Sequence, residues 1–317
     1  MPLLVSATTV EFAPVVVDEP RVITPEFDTR VPRFSWIAPD GQEWPLDSPQ
    51  LGWFTPRGRA GLGAAPVEQV ADPHPRGGSR VRHIQPQARV VTWPLFVEGV
   101  SHLQFVERWR ALTRAFTSTR RLGPGRLRVM RPDGTAREIE AFYQGGFDGE
   151  PGWGHTFDQA VLSLYCEDPF WRATEPISLP YGNGAAVSYL DPHLTVSPSS
   201  VLGSTVAVNG GDVEAWPVWS ITGPASVVVA TNVTTGESFT FTPVGGALTA
   251  GQTATITTDP PAVRGPAGQN WSGGALNWPG AVLWGLQPGL NDVTFSVSGS
   301  GAATNITLSY VPRYETA

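Results

Sequence analysis

Acidic side chains at the end of one predicted strand are the first candidates for chemistry in this sequence. Glu167 and Asp168 follow the alternating segment Phe157–Cys166, and paired carboxylates can serve as general acid and general base. Adjacent strand residues point to opposite faces of a sheet, so these two would not face one substrate. Glu138 and Glu140 share the outer face of another predicted strand, which is typical of a solvated surface. Neither pair predicts a catalytic site.

Ligands for metals and nucleotides are also sparse. Asp72 and His74 could supply two metal ligands, but no third lies nearby in sequence, which favours a solvated turn. The glycines of residues 58–63 weakly resemble a nucleotide loop, yet no helix follows them. G-x-S-x-G, H-E-x-x-H, phosphate-loop and C-x-x-C motifs are missing. The sequence therefore predicts a protein that is not an enzyme and has no cofactor or metal site.

Tryptophans supply a different chemistry, the stacking of sugar rings. Trp271, Trp278 and Trp284 lie near predicted turns and edges, where indole rings can form a glycan platform. Trp216 and Trp219 lie on a predicted strand, and we expect them to fill a core. Carbohydrate binding thus stays open as an alternative function.

The charge distribution divides the chain into two parts. All 21 basic residues are arginine. We interpret this bias as a result of genome base composition rather than of selection for bidentate contacts. Residues 1–174 carry 19 arginines and 20 acidic residues, whereas residues 175–317 carry 2 and 8. This break predicts two domains, residues 1–176 and 177–317. Neither half has the basic excess of a nucleic-acid-binding protein, so we expect no sequence-specific nucleic-acid binding.

Cysteine content and hydropathy suggest where the chain folds. Cys166 is the single cysteine, so the chain forms no intrachain disulfide. The first residues, MPLLV, lack the basic start of a signal peptide, and no apolar run reaches the length of a membrane span. We expect a protein made in a cytoplasm and not inserted in a membrane.

The first half reads as strands around one helix. Ser101 and Gln104 form a capping box for a helix over residues 101–118, with Phe105, Trp109, Leu112 and Phe116 on one stripe. Strands are predicted at residues 89–97, apolar on both faces, and at 157–166, with Ala160, Leu162, Leu164 and Cys166 on one face. A hairpin is predicted at residues 127–131 and 137–143, turned by Pro132-Asp133-Gly134. Residues 55–79 read as a long Gly/Pro/Arg loop, a feature that is usually functional or disordered.

The second half contains no predicted helix. Short strands alternate with turn residues, which is typical of an antiparallel sandwich or barrel. The predicted strands are residues 206–208, 218–222, 227–231, 238–242, 254–258, 282–286, 293–298 and 304–310.

The segment between the two halves, Tyr165–Arg172, reads as a domain junction. Pro169 cannot donate to a sheet ladder and pushes Asp168 toward extended geometry, so the strand should stop there. Phe170 and Trp171 follow where a loop would ordinarily be polar. We interpret Asp168, Pro169, Phe170 and Trp171 as the packed seam and hinge point between the domains.

The order of these features resembles one protein family. A Pro39-Asp40-Gly41 turn, a strand with Arg89 and aromatics, a helix, a hairpin and a strand closing in Asp-Pro-Phe-Trp occur in sequence. The second half adds VNGGDVEAWPVW (residues 208–219), ITGP (221–224), NVTTGE (232–237) and LQPGLN (286–291). Together they resemble the distal tail protein of long non-contractile-tailed phages, the siphophages.

The resemblance implies a mainly β fold with two domains. Residues 1–176 would form a tail-tube-like β-sandwich or split barrel with one α-helix, and residues 177–317 a galectin-like antiparallel β-sandwich. The implied function is that of a structural virion protein, a homo-hexameric ring at the distal end of the tail. The ring would connect the tail tube to the baseplate or tail tip and surround the genome exit channel. The implied partners are the tail tube, tail tip or tail-associated and tape-measure proteins, with assembly in the bacterial host cytoplasm.

Three arginines of the 55–79 loop, Arg57, Arg59 and Arg76, are the candidate contacts to a ring neighbour or the tube. Two other functions remain open. One is a protein that recognises host cell-wall glycans through the C-terminal sandwich and its platform of tryptophans. The other is a hydrolase of the tail tip or cell wall that uses Glu167 or Asp168, although nothing in the sequence positions an acid and base pair. The sequence shows no long inserted module of the kind that carries sugar binding in this family.

Overall fold

A computed structural model describes residues 32–149, 154–182 and 199–317 of the chain. The predictions made for residues 1–31, including the missing signal peptide, lie outside the described residues. The protein is mainly β, as predicted. No helix in the described part of the chain has the length and apolar composition needed to cross a membrane.

The first half of the chain contains one large curled sheet, a helix that covers it, and a separate two-stranded sheet. Its strands are β1 Arg33–Ile37, β2 Glu43–Pro45, β3 Trp53–Phe54, β4 Val67–Pro73, β5 Ser79–Pro86, β6 Arg89–Glu98, β7 Gly125–Met130, β8 Ala136–Gly145, β9 Phe157–Cys166 and β10 Trp171–Ala173. The helices are α1 His102–Thr117 and α2 Thr119–Leu122, with a 3-10 turn at Pro49–Leu51. The sheet order is β2-β1-β7-β8-β9-β6-β3, and β10 pairs with β8.

Helix α1 begins and packs as its sequence predicts. The Ser101 hydroxyl accepts a hydrogen bond from the backbone N–H of Gln104 at 3.3 Å, and the Gln104 side chain accepts one from the backbone N–H of Val100 at 2.9 Å. The predicted stripe of Phe105, Trp109, Leu112 and Phe116 is buried. The Phe116 ring stacks on Trp36 with 4.6 Å between centroids, which fixes the helix against the sheet.

Two predictions for the first half are wrong. Residues 55–79 are not one loop, because β4 and β5 form a separate two-stranded hairpin that begins at Val67. Strand β6 is not covered on both faces, since Val90 is 44% exposed. The hairpin β7–β8 and the inward face of β9 are confirmed.

The second half forms two facing antiparallel sheets. Its strands are β11 Ile177–Gly182, β12 Ser199–Asn209, β13 Val218–Thr222, β14 Val227–Asn232, β15 Glu237–Phe241, β16 Thr253–Thr257, β17 Ala262–Arg264, β18 Gly289–Ser298, β19 Asn305–Tyr310 and β20 Arg313–Tyr314. One sheet has the order β11-β19-β13-β16-β17 and the other β12-β18-β14-β15. The described residues of this half contain no helix, in agreement with the sequence.

Each half has its own hydrophobic core. The core of the first half includes Trp36, Trp93 and Trp171, and that of the second half includes Trp219 and Phe295. The division near residue 176 stays a prediction, and β20 leaves the second half to pair with β10. Residues 282–286 are not a strand, because only Leu286 makes an isolated bridge, to Ala215.

Candidate functional site at the junction and the exposed hairpin

The junction predicted at Asp168 is held by charged hydrogen bonds. Strand β9 ends at Cys166, and the Asp168 carboxylate then accepts from Arg172 at 2.8 Å and from Arg313 at 2.8 Å. The backbone N–H of Phe170 adds a third bond at 3.2 Å. Both carboxylate oxygens therefore have partners, which suits a structural ion pair rather than a general acid or base.

Electrostatics keep this carboxylate charged. Burial alone would raise the pKa of Asp168, but the hydrogen bond from Arg172 and the charge of Arg313 outweigh burial and hold that pKa below its ordinary value. Burial opposes the charge of Arg172, but the hydrogen bond to Asp168 raises the pKa of that guanidinium. The arrangement is thus a charged cluster that joins residues far apart in sequence.

Arg313 is the centre of the junction, and sequence reasoning missed it. Its guanidinium lies 4.7 Å from the centroid of the Phe170 ring and donates to the backbone oxygen of Glu214 at 3.2 Å. Its strand, β20, pairs antiparallel with β10, so that Tyr314 lies opposite Trp171. One signal was present: Arg313 is one of only two arginines after residue 174.

Residues after β20 make further contacts with the first half. The Glu315 carboxylate accepts from the backbone N–H of Ala65 at 2.8 Å, and the Glu315 backbone oxygen accepts from buried Arg89 at 3.1 Å. The Arg137 guanidinium lies 3.6 Å from the Tyr314 ring centroid. We call β20 and residues 315–317 the clasp, because they attach the two facing sheets of the second half to the curled sheet of the first half.

The predicted seam is only partly shared between the halves. Trp171 belongs to the core of the first half and is fully buried. Phe170 is also buried, beneath Arg313. Cys166 is buried as well, and burial raises the pKa of its thiol to about 12, so the thiol stays protonated near neutrality.

The β4–β5 hairpin is the second candidate site. The register pairs Gln69 with Ile84 and Ala71 with Val81, across a bulge after Val70. Val67, Ala71, Val81 and Ile84 therefore share one face with Gln69, and all five are exposed. Val70, also exposed, lies on the other face. An exposed apolar face on an isolated hairpin indicates a contact surface.

The structure separates the three arginines of the predicted contact loop. Arg59 lies 4.6 Å from the centroid of the Phe34 ring, next to the bridge that joins Ala60 to β6. Arg57 precedes it and is exposed. Arg76 lies instead in the turn of the hairpin. Their role in ring or tube contacts stays a prediction.

The candidate glycan tryptophans also separate. Trp284 is 1% exposed and packs edge-on against Trp219 in the second core, so its assignment to a platform is wrong. Trp278 is 50% exposed, and Trp271 lines a surface cleft of about 460 Å³. Trp216, expected in the core, is 36% exposed and precedes β13.

Known structures share this architecture. No protein-family model matches the chain, and no curated protein sequence matches it. The Dit protein (gp 19.1) of phage SPP1, described as a paradigm of the hub adsorption apparatus in phages that infect Gram-positive bacteria, superposes with a TM-score of 0.63. The two chains are 15% identical, over 88% of this chain and 98% of that one.

Proteins of the phage p2 baseplate are similar too. A chain of the activated baseplate with Ca gives a TM-score of 0.53 at 7% identity, over 91% of this chain and all of that one. A chain of the form with Sr gives 0.52 at 8% identity, over 88% and 98%. At these identities the likeness establishes the fold alone, so this chain shares the fold of SPP1 Dit and of the p2 baseplate chains over most of its length.

Proposed function

We propose that the chain is a structural subunit of the distal end of a long non-contractile phage tail. In this proposal six copies form a ring that connects the tail tube to the baseplate or tail tip, and the genome leaves through its centre. The tail tube, tail tip and tape-measure proteins are its partners. The observation that carries the proposal is the likeness to SPP1 Dit, which spans both halves of this chain and nearly all of that one.

The β4–β5 hairpin supports assembly with a second copy. A closed ring needs two different, complementary surfaces on each subunit. The hairpin offers one, since its apolar face is exposed along both strands. The backbone oxygen of Pro66 accepts from the N–H of Gln87 at 2.8 Å, so the base of the hairpin is closed. We infer that this face packs on the neighbouring subunit.

Two adjacent substitutions test this assembly. Ile84→Glu places a charge on the apolar face, whereas Gln85→Glu places the same charge on the opposite face. Ring formation is measured by mass photometry and negative-stain imaging of the full chain. We expect rings for the native protein and for Gln85→Glu, and loss of rings for Ile84→Glu with an unchanged melting temperature. Monomers at every concentration, together with no incorporation into tails, would contradict the ring.

A second candidate function, binding of cell-wall glycans, rests on the cleft beside Trp271. Its lining includes Gln252 and Gln269, whose amide oxygens accept backbone hydrogen bonds at 2.9 and 2.8 Å. Their amide N–H groups can donate to a sugar next to an indole ring. Trp271→Ala in the full chain should then abolish retention on host cell walls, with Trp278→Ala as the control. Equal retention of all three proteins would exclude this cleft.

A further inference from the structure

A small cleft lies where the two halves meet, and the assembly proposed above, through the β4–β5 hairpin, does not involve it. Its volume is about 230 Å³. Asp168 and Arg172 contribute one wall, and Trp216, Val218 and Asp259 contribute to the other. A ligand bound there would therefore touch both halves of the chain.

The wall from the second half carries groups that are available to a ligand. Trp216 and Val218 are each 36% exposed. Asp259 is exposed in the turn that follows β16, and its charge acts on Arg172, which also lines the cleft. No hydrogen bond to its carboxylate occurs among the described residues, so its oxygens can accept from a ligand. An apolar indole and an open acceptor thus lie in the same cleft.

The wall from the first half supplies fixed donors. Arg172 is held by the 2.8 Å bond of Nη2 to Asp168, and its Nη1 lies 3.9 Å from a carboxylate oxygen of Glu140. A guanidinium has five N–H donors, so these two contacts leave donors for a ligand. Arg313 also lines the cleft and is fixed by Asp168 and by the backbone of Glu214. Because these side chains are already bound, little conformational entropy would be lost when a ligand joins them.

We propose that this junction cleft binds one neutral saccharide ring. The lining carries both signs of charge, so a strongly anionic or cationic ligand would meet a like charge on one wall. A sugar ring presents an apolar C–H face to an indole, while its hydroxyls both donate and accept. Asp259 accepts from those hydroxyls and Arg172 donates to them. The cleft is smaller than the roughly 300–1,000 Å³ of sites for drug-sized ligands, which suits a single ring or the end of a glycan.

This site differs from the cleft beside Trp271, and a titration can distinguish the two. The probes are glucose, galactose and N-acetylglucosamine, added to the full chain and followed by calorimetry and tryptophan fluorescence. We expect saturable binding of at least one sugar. Trp216→Ala and Asp259→Asn should each weaken it by about tenfold or more, since each removes one side of the recognition. Trp271→Ala and the exposed control Trp278→Ala should leave it unchanged.

The melting temperatures of the variants and the sugar titrations together decide the proposal. Asp259 is exposed and Asp259→Asn keeps the shape of the side chain, so this variant should keep the native melting temperature. Trp216→Ala removes an indole that is 36% exposed, so its melting temperature is measured beside its sugar binding. No saturable binding by any of the three sugars would overturn the proposal. So would binding that persists in both junction variants or is lost with Trp271. Ring formation is scored separately on the same samples, so failure of the sugar site leaves the assembly proposal intact.

Discussion

At the scale of single residues, Asp168 has the most consequential environment. Its two carboxylate oxygens bind guanidinium groups from separate parts of the chain, at 2.8 Å each. The side chain is 23% exposed, so solvent screens these bonds only partly. Charged hydrogen bonds of this kind contribute about 1.5–3 kcal/mol each. Asp168→Asn should lower the free energy of unfolding at pH 7 by on the order of 2 kcal/mol.

The contribution of Asp168 to the free energy of unfolding should depend on pH. The pKa of Asp168 is lowered in the folded state relative to about 3.9 in the unfolded chain. Its stabilisation is therefore fully present above pH 4–5, roughly, and is lost as the pH falls through the folded pKa. Denaturant titrations at several pH values should show the difference between native protein and Asp168→Asn shrinking toward acid. A difference that stayed constant with pH would indicate lost packing rather than lost charge.

At the scale of elements, the clearest prediction about packing concerns helix α1. Trp109 is 7% exposed, and its ring lies edge-on to Phe147, with 5.2 Å between the centroids. Trp109→Ala should open a cavity and lower the free energy of unfolding by about 3–5 kcal/mol. The adjacent exposed residue gives the control, because Arg110→Ala should change it by less than about 0.5 kcal/mol. Equal effects of the two changes in urea titrations would mean that the helix stripe is not the buried one.

Local signals explain which elements could be predicted from the sequence. The helix, the β7–β8 hairpin and the inward face of β9 follow from capping, turn residues and periodicity within about ten residues. The β4–β5 hairpin was not predicted, because its strands contain many polar residues and therefore resemble a loop, although Gly77-Gly78 marks its turn. The clasp could not be predicted, since the pairing of Tyr314 with Trp171 joins residues that nearly half of the chain separates. Trp216 was expected on a strand in the core, but it precedes β13 and is 36% exposed.

At the scale of the whole molecule, the clasp bears on how the two halves unfold. Two separate cores would ordinarily allow each half to move and to melt on its own. Here β20 adds to the sheet of the first half, and Arg313 contacts Phe170, Asp168 and the backbone of Glu214. The sequence predicted a hinge at this junction. We propose instead that the clasp acts as a clamp, which fixes the two halves relative to each other. A clamped junction would keep the two sheets of the second half fixed relative to the curled sheet of the first half.

Calorimetry can test the clamp through cooperativity. Native protein should unfold in one transition, because losing either half would also break the charged contacts of Arg313. Arg313→Ala removes those contacts and should split the transition in two, with the less stable half melting first. Arg264→Ala is the matched control, since Arg264 is the other arginine after residue 174 and is exposed on β17. Two transitions in the native protein would mean that the halves are not coupled, which would contradict the clamp. A single transition in Arg313→Ala would mean that the backbone pairing of β10 with β20, rather than the arginine, sets the coupling between the halves.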